Sequence, residues 1–249
     1  MEHDVVHYNT IWISDIHLGA SESQTDKLLA FLKVSECNVL FLVGDIIDLW
    51  AVQNKSKWTT GHNTVIQKIL RIARRGTRVI YIPGNHDDAL REYCGMTFGD
   101  IKVERDYIYQ LKDGRTVYIT HGDDFDLIAN KYTWIAKFGD IGYSILLKLN
   151  KVISNIRRVF GLTSHFSLSQ YIKYSIKQAV SFISDYENNV VKSIKDKHVD
   201  GVVTGHIHHA EIREIDGLTY INCGDWVESC TAIVETLDGK LQIIKFGVK

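Results

Sequence analysis

The chain has 249 residues, 45% hydrophobic and 24% charged, with a net charge of −1, the composition of an ordinary soluble globular protein. That length holds one large or two small domains with a sizeable core, and no stretch approaches the roughly 20 uncharged apolar residues of a membrane span. Met1-Glu2-His3-Asp4 has neither the basic region nor the apolar run of a signal peptide, so a cytoplasmic location is expected.

In chain order, apolar strands alternate with helical patterns. Thr10–Ile13 reads as a strand that runs into Asp15-Ile16-His17, and Asp26–Leu32 as a helix. Val39–Val43 is a second strand, ending in Gly44-Asp45-Ile46-Ile47-Asp48. Asn63 to Arg75 then places Val65, Ile66, Ile69, Leu70 and Ile72 at helical spacing, and Gly76 stops the helix. Arg78–Ile82 is a third strand, closed by the single proline, Pro83, and by Gly84-Asn85-His86-Asp87. This alternation predicts parallel strands with right-handed crossovers.

From Ile101 the pattern changes. Ile101–Leu111 and Arg115–Thr120 flank Lys112-Asp113-Gly114, a hairpin signal, and the second arm runs into His121-Gly122-Asp123. After a long insert, Gly201–Thr204 leads to Gly205-His206-Ile207-His208. Two more hairpins follow, Ala210–Ile215 with Leu218–Asn222, and Thr231–Thr236 with Leu241–Phe246. The expected architecture is α/β (α+β): a mixed sheet, or two packed sheets with helices outside. One domain over 1–249 is expected, carrying an insert at about 125–197.

The insert differs in charge from the rest. Between Phe125 and Lys197 there are eleven Lys or Arg against five Asp or Glu. Ile145, Leu149, Val152, Ile156 and Val159 form an apolar stripe, with Lys148, Lys151 and Arg158 on the opposite face. A second helix follows Ser167, with Lys173 and Lys177 about one turn apart. Two readings stay open. The insert packs its stripe on the body with solvated lysines, or it caps an acyl chain or membrane surface, with Lys173 and Lys177 on an anionic head group.

Five strand ends carry Asp, Asn and His, a donor set of hard oxygen and imidazole nitrogen that suits manganese, iron, zinc or cobalt. The donors outnumber the needs of one four-coordinate ion; two metals sharing one carboxylate use them all. Paired metals about 3.5–4 Å apart are the usual clamp for in-line phosphoryl displacement, with a bridging hydroxide as nucleophile. The four cysteines, Cys37, Cys94, Cys223 and Cys230, form no CxxC pair and are expected to be reduced and structural.

The blocks Asp15-x-His17, Gly44-Asp45-x-x-Asp48, Gly84-Asn85-His86-Asp87, His121-Gly122 and Gly205-His206-x-His208 resemble, in order and type, those of the calcineurin-like metallophosphoesterases. The resemblance implies two packed mixed β-sheets flanked by helices, with a helical lid insert. It also implies roles: Asp15, His17 and His208 on a first metal, Asn85, His121 and His206 on a second, and Asp45 bridging. His86 would assist the leaving oxygen with Asp87 orienting its ring, and Asp48 would support the ligands from behind. Ser14-Asp15-Ile16-His17-Leu18-Gly19, Asp45-Ile46-Ile47-Asp48-Leu49-Trp50 and the insert look like the UDP-2,3-diacylglucosamine pyrophosphohydrolase subgroup of lipid A synthesis. In that subgroup Arg usually follows the Asn of the third block, where this chain has His86.

The expected function is therefore a manganese-dependent phosphoesterase or pyrophosphohydrolase of a lipid- or nucleotide-linked substrate, peripheral on the inner membrane face. The alternatives are another phosphoester (phospholipid head group, cyclic nucleotide or phosphoprotein) and a non-catalytic membrane-surface module. Nucleic acid is not expected, because the net basic patch is confined to the one amphipathic insert. His3, His7, His62, His165, His198 and His209 are expected on the surface or in structural roles, and Asp123 and Asp124 either behind the ligands or in turns.

Overall fold

The computed structural model describes residues 5–54, 57–125 and 168–247. The chain divides into two compact units, one of residues 1–124 with 190–249 and one of residues 125–189. The first holds the strands. Its chain order is β1 (Val6–Ile13), α1 (Thr25–Val34), β2 (Ser35–Val43), α2 (Leu49–Gln53), α3 (Thr60–Arg74), β3 (Arg78–Ile82), β4 (Thr97–Phe98) and β5 (Ile101–Val103). Then come β6 (Tyr107–Gln110), β7 (Thr116–Ile119), β8 (Gly201–Thr204), β9 (Glu211–Ile215), β10 (Leu218–Asn222), β11 (Thr231–Thr236) and β12 (Leu241–Lys245). Helix α4 (Leu168–Ile194) begins in the second unit.

Two mixed sheets result: seven strands in the order β12-β11-β1-β2-β3-β5-β4, and five in the order β6-β7-β8-β10-β9. β1, β2, β3 and β5 run parallel, as do β7, β8 and β10, while β11 and β12 add antiparallel to the first sheet.

The strands are apolar on both faces because both faces are covered. Ile11, Ile13, Leu40, Leu42 and Val79 join a core with Leu28, Phe31 and Leu32 of α1 and Val65, Ile69 and Ala73 of α3. Their strand neighbours Trp12, Phe41, Val43, Ile80 and Ile82 point the other way, onto Tyr109, Val117, Ile119, Val203 and Ile221 of the second sheet. Trp12 stacks on Phe41 and meets the edge of Tyr109, each at 6.0 Å between ring centres. Every parallel strand then releases its carboxyl end at the rim of the sheets, where α/β folds place their sites.

Three local features depart from expectation. Ile101–Leu111 is not one hairpin arm: β5 pairs with β3 in the first sheet, and β6 opens the second. Glu104 still donates its N–H to Tyr81 O at 2.9 Å, and the charged run Glu104-Arg105-Asp106 carries the chain across. α3 starts three residues early because Thr59 caps it. Thr59 Oγ1 accepts from His62 N–H at 3.4 Å, and His62 Nδ1 accepts from Thr59 N–H at 3.2 Å. Burial holds the His62 ring below its ordinary pKa, which keeps that nitrogen an acceptor. α2 carries too few residues for periodicity to reveal, and it owes its start to Asp48, whose side chain accepts from Ala51 N–H at 2.7 Å.

Of the second unit, α4 runs through Lys173 and Lys177, and the Lys177 side chain is exposed. The amphipathic helix expected around residues 144–160 and the side chain of Lys173 lie outside the described residues. No helix among the described residues is long and apolar enough to cross a membrane.

Candidate metal centre

The turns after β1, β2 and β8 are wound unusually tightly. Asp15, His17, Asp45, His206 and His208 have φ of 51°, 51°, 53°, 71° and 56°, a left-handed region that non-glycine residues avoid. Neighbouring turns hold them there: Asp15 N–H donates to Gly44 O at 3.0 Å and His17 N–H to Asp45 O at 2.9 Å. Backbone strain of this kind gathers where side chains must converge. Gly84 belongs to the same crowding, since a Cβ there would overlap Asp45 Oδ1 and the His121 ring.

The convergence has a repeated design. Each of two buried carboxylates gives one oxygen to a backbone N–H and turns the other toward imidazoles. Asp15 Oδ2 accepts from His206 N–H at 3.0 Å, and its Oδ1 lies 3.3 Å from His208 Nε2 and 3.9 Å from His17 Nε2. Asp45 Oδ1 accepts from His86 N–H at 2.8 Å, and its Oδ2 lies 3.3 Å from His121 Nε2 and 3.9 Å from His17 Nε2.

Two of the rings have their tautomer set from behind. His121 Nδ1 lies 3.0 Å from the Val43 carbonyl, which only accepts, so Nδ1 carries a hydrogen and Nε2 is the nitrogen that a metal would take once its own proton leaves. His17 Nδ1 stands likewise 3.1 Å from Asp48 Oδ2. Asp15 Oδ1, His17 Nε2, Asn85 Oδ1 and His121 Nε2 are all buried without a hydrogen-bond partner. Four such atoms collected away from water are costly unless a proton or a metal cation joins them. Asp15, His17 and His208 form one group whose ligand atoms all lie within 4.8 Å of one another, Asp45, His121 and His206 a second, and His17, Asp45 and His86 a third. These residues fit divalent metal.

His86 sits beside this cluster. Its Nδ1 lies 3.0 Å from Asp48 Oδ2, its ring centre is 4.3 Å from that of Trp50, and Trp50 is 41% exposed. Burial alone would push the Asp48 carboxyl up, but the His17 and His86 rings override it and hold Asp48 well below the usual carboxylate range.

The Asp87 role is corrected by this geometry. Asp87 does not face the His86 ring: its buried carboxylate accepts the N–H of Gly84 at 2.6 Å, of Ile46 at 2.9 Å and of Asp45 and Ile47 at 3.3 Å, and the hydroxyl of Tyr81. Asp87 thus knits the β2 and β3 loops together, and the carboxylate beside His86 is that of Asp48.

Among the other sites, Arg91 Nη2 grips both oxygens of Asp123 at 2.8 and 2.7 Å, which makes Asp123 part of the loop framework. Asp124 pairs with Arg105 at 3.1 Å, His7 with Glu36 at 3.5 Å and His209 with Glu211 at 3.6 Å, all at the surface. His198 caps a helical turn with φ 53°. The cysteines are free thiols, and burial pushes Cys37 up to about 12. His3 and His165 lie outside the described residues.

Protonation and metal binding compete here. Burial lowers the His121 pKa, but Asp45 overrides it and carries the ring up to about 10; Asp15 does the same for His208, up to about 9. Both imidazoles are thus cations at neutral pH in the metal-free chain. Because their folded pKa values exceed the unfolded value of about 6.5, their stabilising effect is complete below about 6.5 and lost as pH rises through 9 to 10. Metal must displace these protons. Titrating Mn²⁺ into metal-free protein at neutral pH in buffers of different ionisation enthalpy is expected to reveal proton release, with affinity rising toward pH 9. A binding heat independent of buffer contradicts the assignment.

Residues 8–210 match the family model of the calcineurin-like phosphoesterases, and the chain belongs to that family. It is a metal-dependent hydrolase. It is similar to the UDP-2,3-diacylglucosamine hydrolase of Blochmanniella pennsylvanica, 24% identical over 214 residues that cover 82% of this chain and 81% of that protein. The enzyme of the same name from Azotobacter vinelandii is 26% identical over 230 residues, covering 87% of this chain and 90% of its own. Among solved structures, an archaeal phosphodiesterase aligns with a TM-score of 0.43 at 12% identity, covering 95% of this chain and 98% of its own.

Proposed function

We propose that this chain is a dinuclear-metal pyrophosphohydrolase acting on UDP-2,3-diacylglucosamine or a closely similar lipid-linked nucleotide. The observation that carries the two-metal reading is Asp45, whose Oδ2 lies 3.9 Å from His17 Nε2 and 3.3 Å from His121 Nε2 and so faces a ligand of each proposed ion. Asp15, His17 and His208 would hold one ion, and Asn85, His121 and His206 the other. Bound divalent metals supply a water of lowered pKa and a positive clamp for the charge that grows on phosphoryl oxygens.

The rest falls to the protein. Asp48 commits His86 Nδ1, which leaves Nε2 as the atom to deliver a proton to the departing oxygen. Trp50 packs on the same ring and restrains its rotation. Asp48 also fixes His17, so one carboxylate aligns a metal ligand with the proton donor. The nucleotide-lipid substrate is supported by the names of the similar enzymes and by the basic composition of the insert, whose Lys173 and Lys177 would meet an anionic head group. Manganese is the proposed metal, ahead of iron, zinc or cobalt.

A second reading rests on His86 itself. With imidazole where the pyrophosphohydrolases usually carry guanidinium, the same centre suits another phosphoester, such as a phospholipid head group, cyclic nucleotide or phosphoprotein. The test is turnover of UDP-2,3-diacylglucosamine by manganese-loaded protein, beside a simple aryl phosphodiester. Release of UMP is the expected result. Cleavage of the aryl ester alone sends the substrate elsewhere and keeps the chemistry. No metal-dependent turnover of either would favour the non-catalytic membrane module.

A further inference from the structure

A sixth strand end shares the vocabulary of the other five. β10 finishes in Asn222-Cys223-Gly224-Asp225, and Asn222 is fully buried. Its side chain reaches in two directions. Nδ2 donates to Gly205 O at 2.6 Å, with the Thr204 and Tyr220 hydroxyls each at 3.2 Å, and Oδ1 accepts from Gly224 N–H at 2.9 Å. Gly224 O in turn accepts from Ser14 Oγ at 2.9 Å, and Ser14 precedes Asp15, whose Oδ2 accepts from His206 N–H at 3.0 Å. His206 follows Gly205. These contacts close a ring: Asp15, His206, Gly205, Asn222, Gly224, Ser14 and back to Asp15. A separate strut, Trp226 N–H to Asp15 O at 3.0 Å, braces the same side.

The ring joins the two sheets where their ligands meet. Asp15 stands at the end of β1 in the seven-stranded sheet, and His206 and His208 follow β8 in the five-stranded one. Strand pairing cannot fix this distance, because β1 and β8 share no hydrogen-bond ladder. Both histidines, moreover, sit in a left-handed backbone that relaxes unless something holds it. Gly224 leaves no alternative route, since a Cβ there would overlap Thr231 Oγ1.

We infer that Asn222 is a positioning residue of the metal centre, setting the span between Asp15 and the His206–His208 turn through Gly205 and Ser14. The inference rests on the proposed metal-centre reading and deepens it. Asn222→Asp is nearly isosteric and keeps the acceptor toward Gly224, but it turns the Gly205 donor into an oxygen that repels the carbonyl. Outer residues that orient ligands are typically worth 10–100-fold in metal affinity, and Asn222→Asp is expected to lose about that much. Ser14→Ala removes a single hydroxyl, breaks the same ring and keeps the test open if Asn222→Asp misfolds. It is expected to weaken binding in the same direction, with the double variant losing less than the two single losses combined.

The readout is Mn²⁺ affinity and stoichiometry by calorimetry on metal-free protein, beside the melting temperature. Thr10→Val serves as the comparison, because it removes a buried hydrogen bond to Glu235 Oε2 at 3.0 Å that lies outside the ring. It should lower the melting temperature and leave Mn²⁺ affinity unchanged. Wild-type affinity in folded Asn222→Asp and Ser14→Ala, or an equal affinity loss in Thr10→Val, overturns the inference. Failure of the wild-type chain to bind Mn²⁺ at all overturns the metal-centre reading beneath it, and the inference with it.

Discussion

Replacing His86 with alanine is expected to cut turnover about 10²–10⁴-fold, the usual worth of a positioned acid–base group, while metal content stays at the wild-type level. The ring lies beside the cluster, not at its centre: its Nδ1 is taken by Asp48 at 3.0 Å and its face by Trp50. The buried atoms without a hydrogen bond that metal would satisfy belong to Asp15, His17, Asn85 and His121, whereas His86 Nδ1, likewise without one, faces the Asp48 carboxylate. Removing His86 leaves those four untouched, so kcat should fall with little change in metal binding. Asp48→Asn should act in the same direction on kcat, but it also loosens His17 and should weaken metal binding. Metal analysis of the purified variants beside steady-state kinetics separates the two. Loss of metal from His86→Ala would make that residue a ligand, as its place in the His17–Asp45 group allows.

The second large effect is on stability. Asp87→Ala is expected to cost about 5 kcal/mol or more, because four backbone N–H groups and the Tyr81 hydroxyl lose one buried acceptor at once, and each unsatisfied buried donor costs about 1–3 kcal/mol. Burial and the neighbouring Asp45 charge push the Asp87 carboxyl up, so part of the benefit is offset within the wild-type protein. Denaturant unfolding of the variant should show the loss directly, together with impaired activity, because the Asp45 and Gly84 turns come apart. A stable Asp87→Ala with activity as low as His86→Ala would instead return Asp87 to the role of orienting the His86 ring.

What the sequence made legible follows from where the information is local. Parallel strands buried on both faces are written as unbroken apolar runs, and polar residues that end such runs mark the rim of the sheet, so Asp15, Asp45, Asn85, His121 and His206 could be placed from the chain alone. Direction within a turn is not local. Asp87 and His86 are neighbours in sequence, yet one faces the loop framework and the other the cluster, a choice set by Gly84 and by N–H groups about forty residues away. The crossing between sheets at Glu104–Asp106 was hidden because both flanking strands are apolar in the same way. Asn222 went unnoticed for a different reason. The two contacts that close the ring, to Gly205 and Gly224, go to backbone groups, and no side-chain pattern announces them.

The proposed mechanism requires two ions sharing Asp45. Low-temperature electron paramagnetic resonance of the metal-free chain titrated with Mn²⁺ tests this most directly. The expected spectrum, once two ions per chain are bound, is that of a spin-coupled manganese pair, and Asp45→Ala should abolish it. Isolated, uncoupled Mn²⁺ at every loading, or saturation at one ion per chain, would contradict a shared carboxylate and the two-metal mechanism with it.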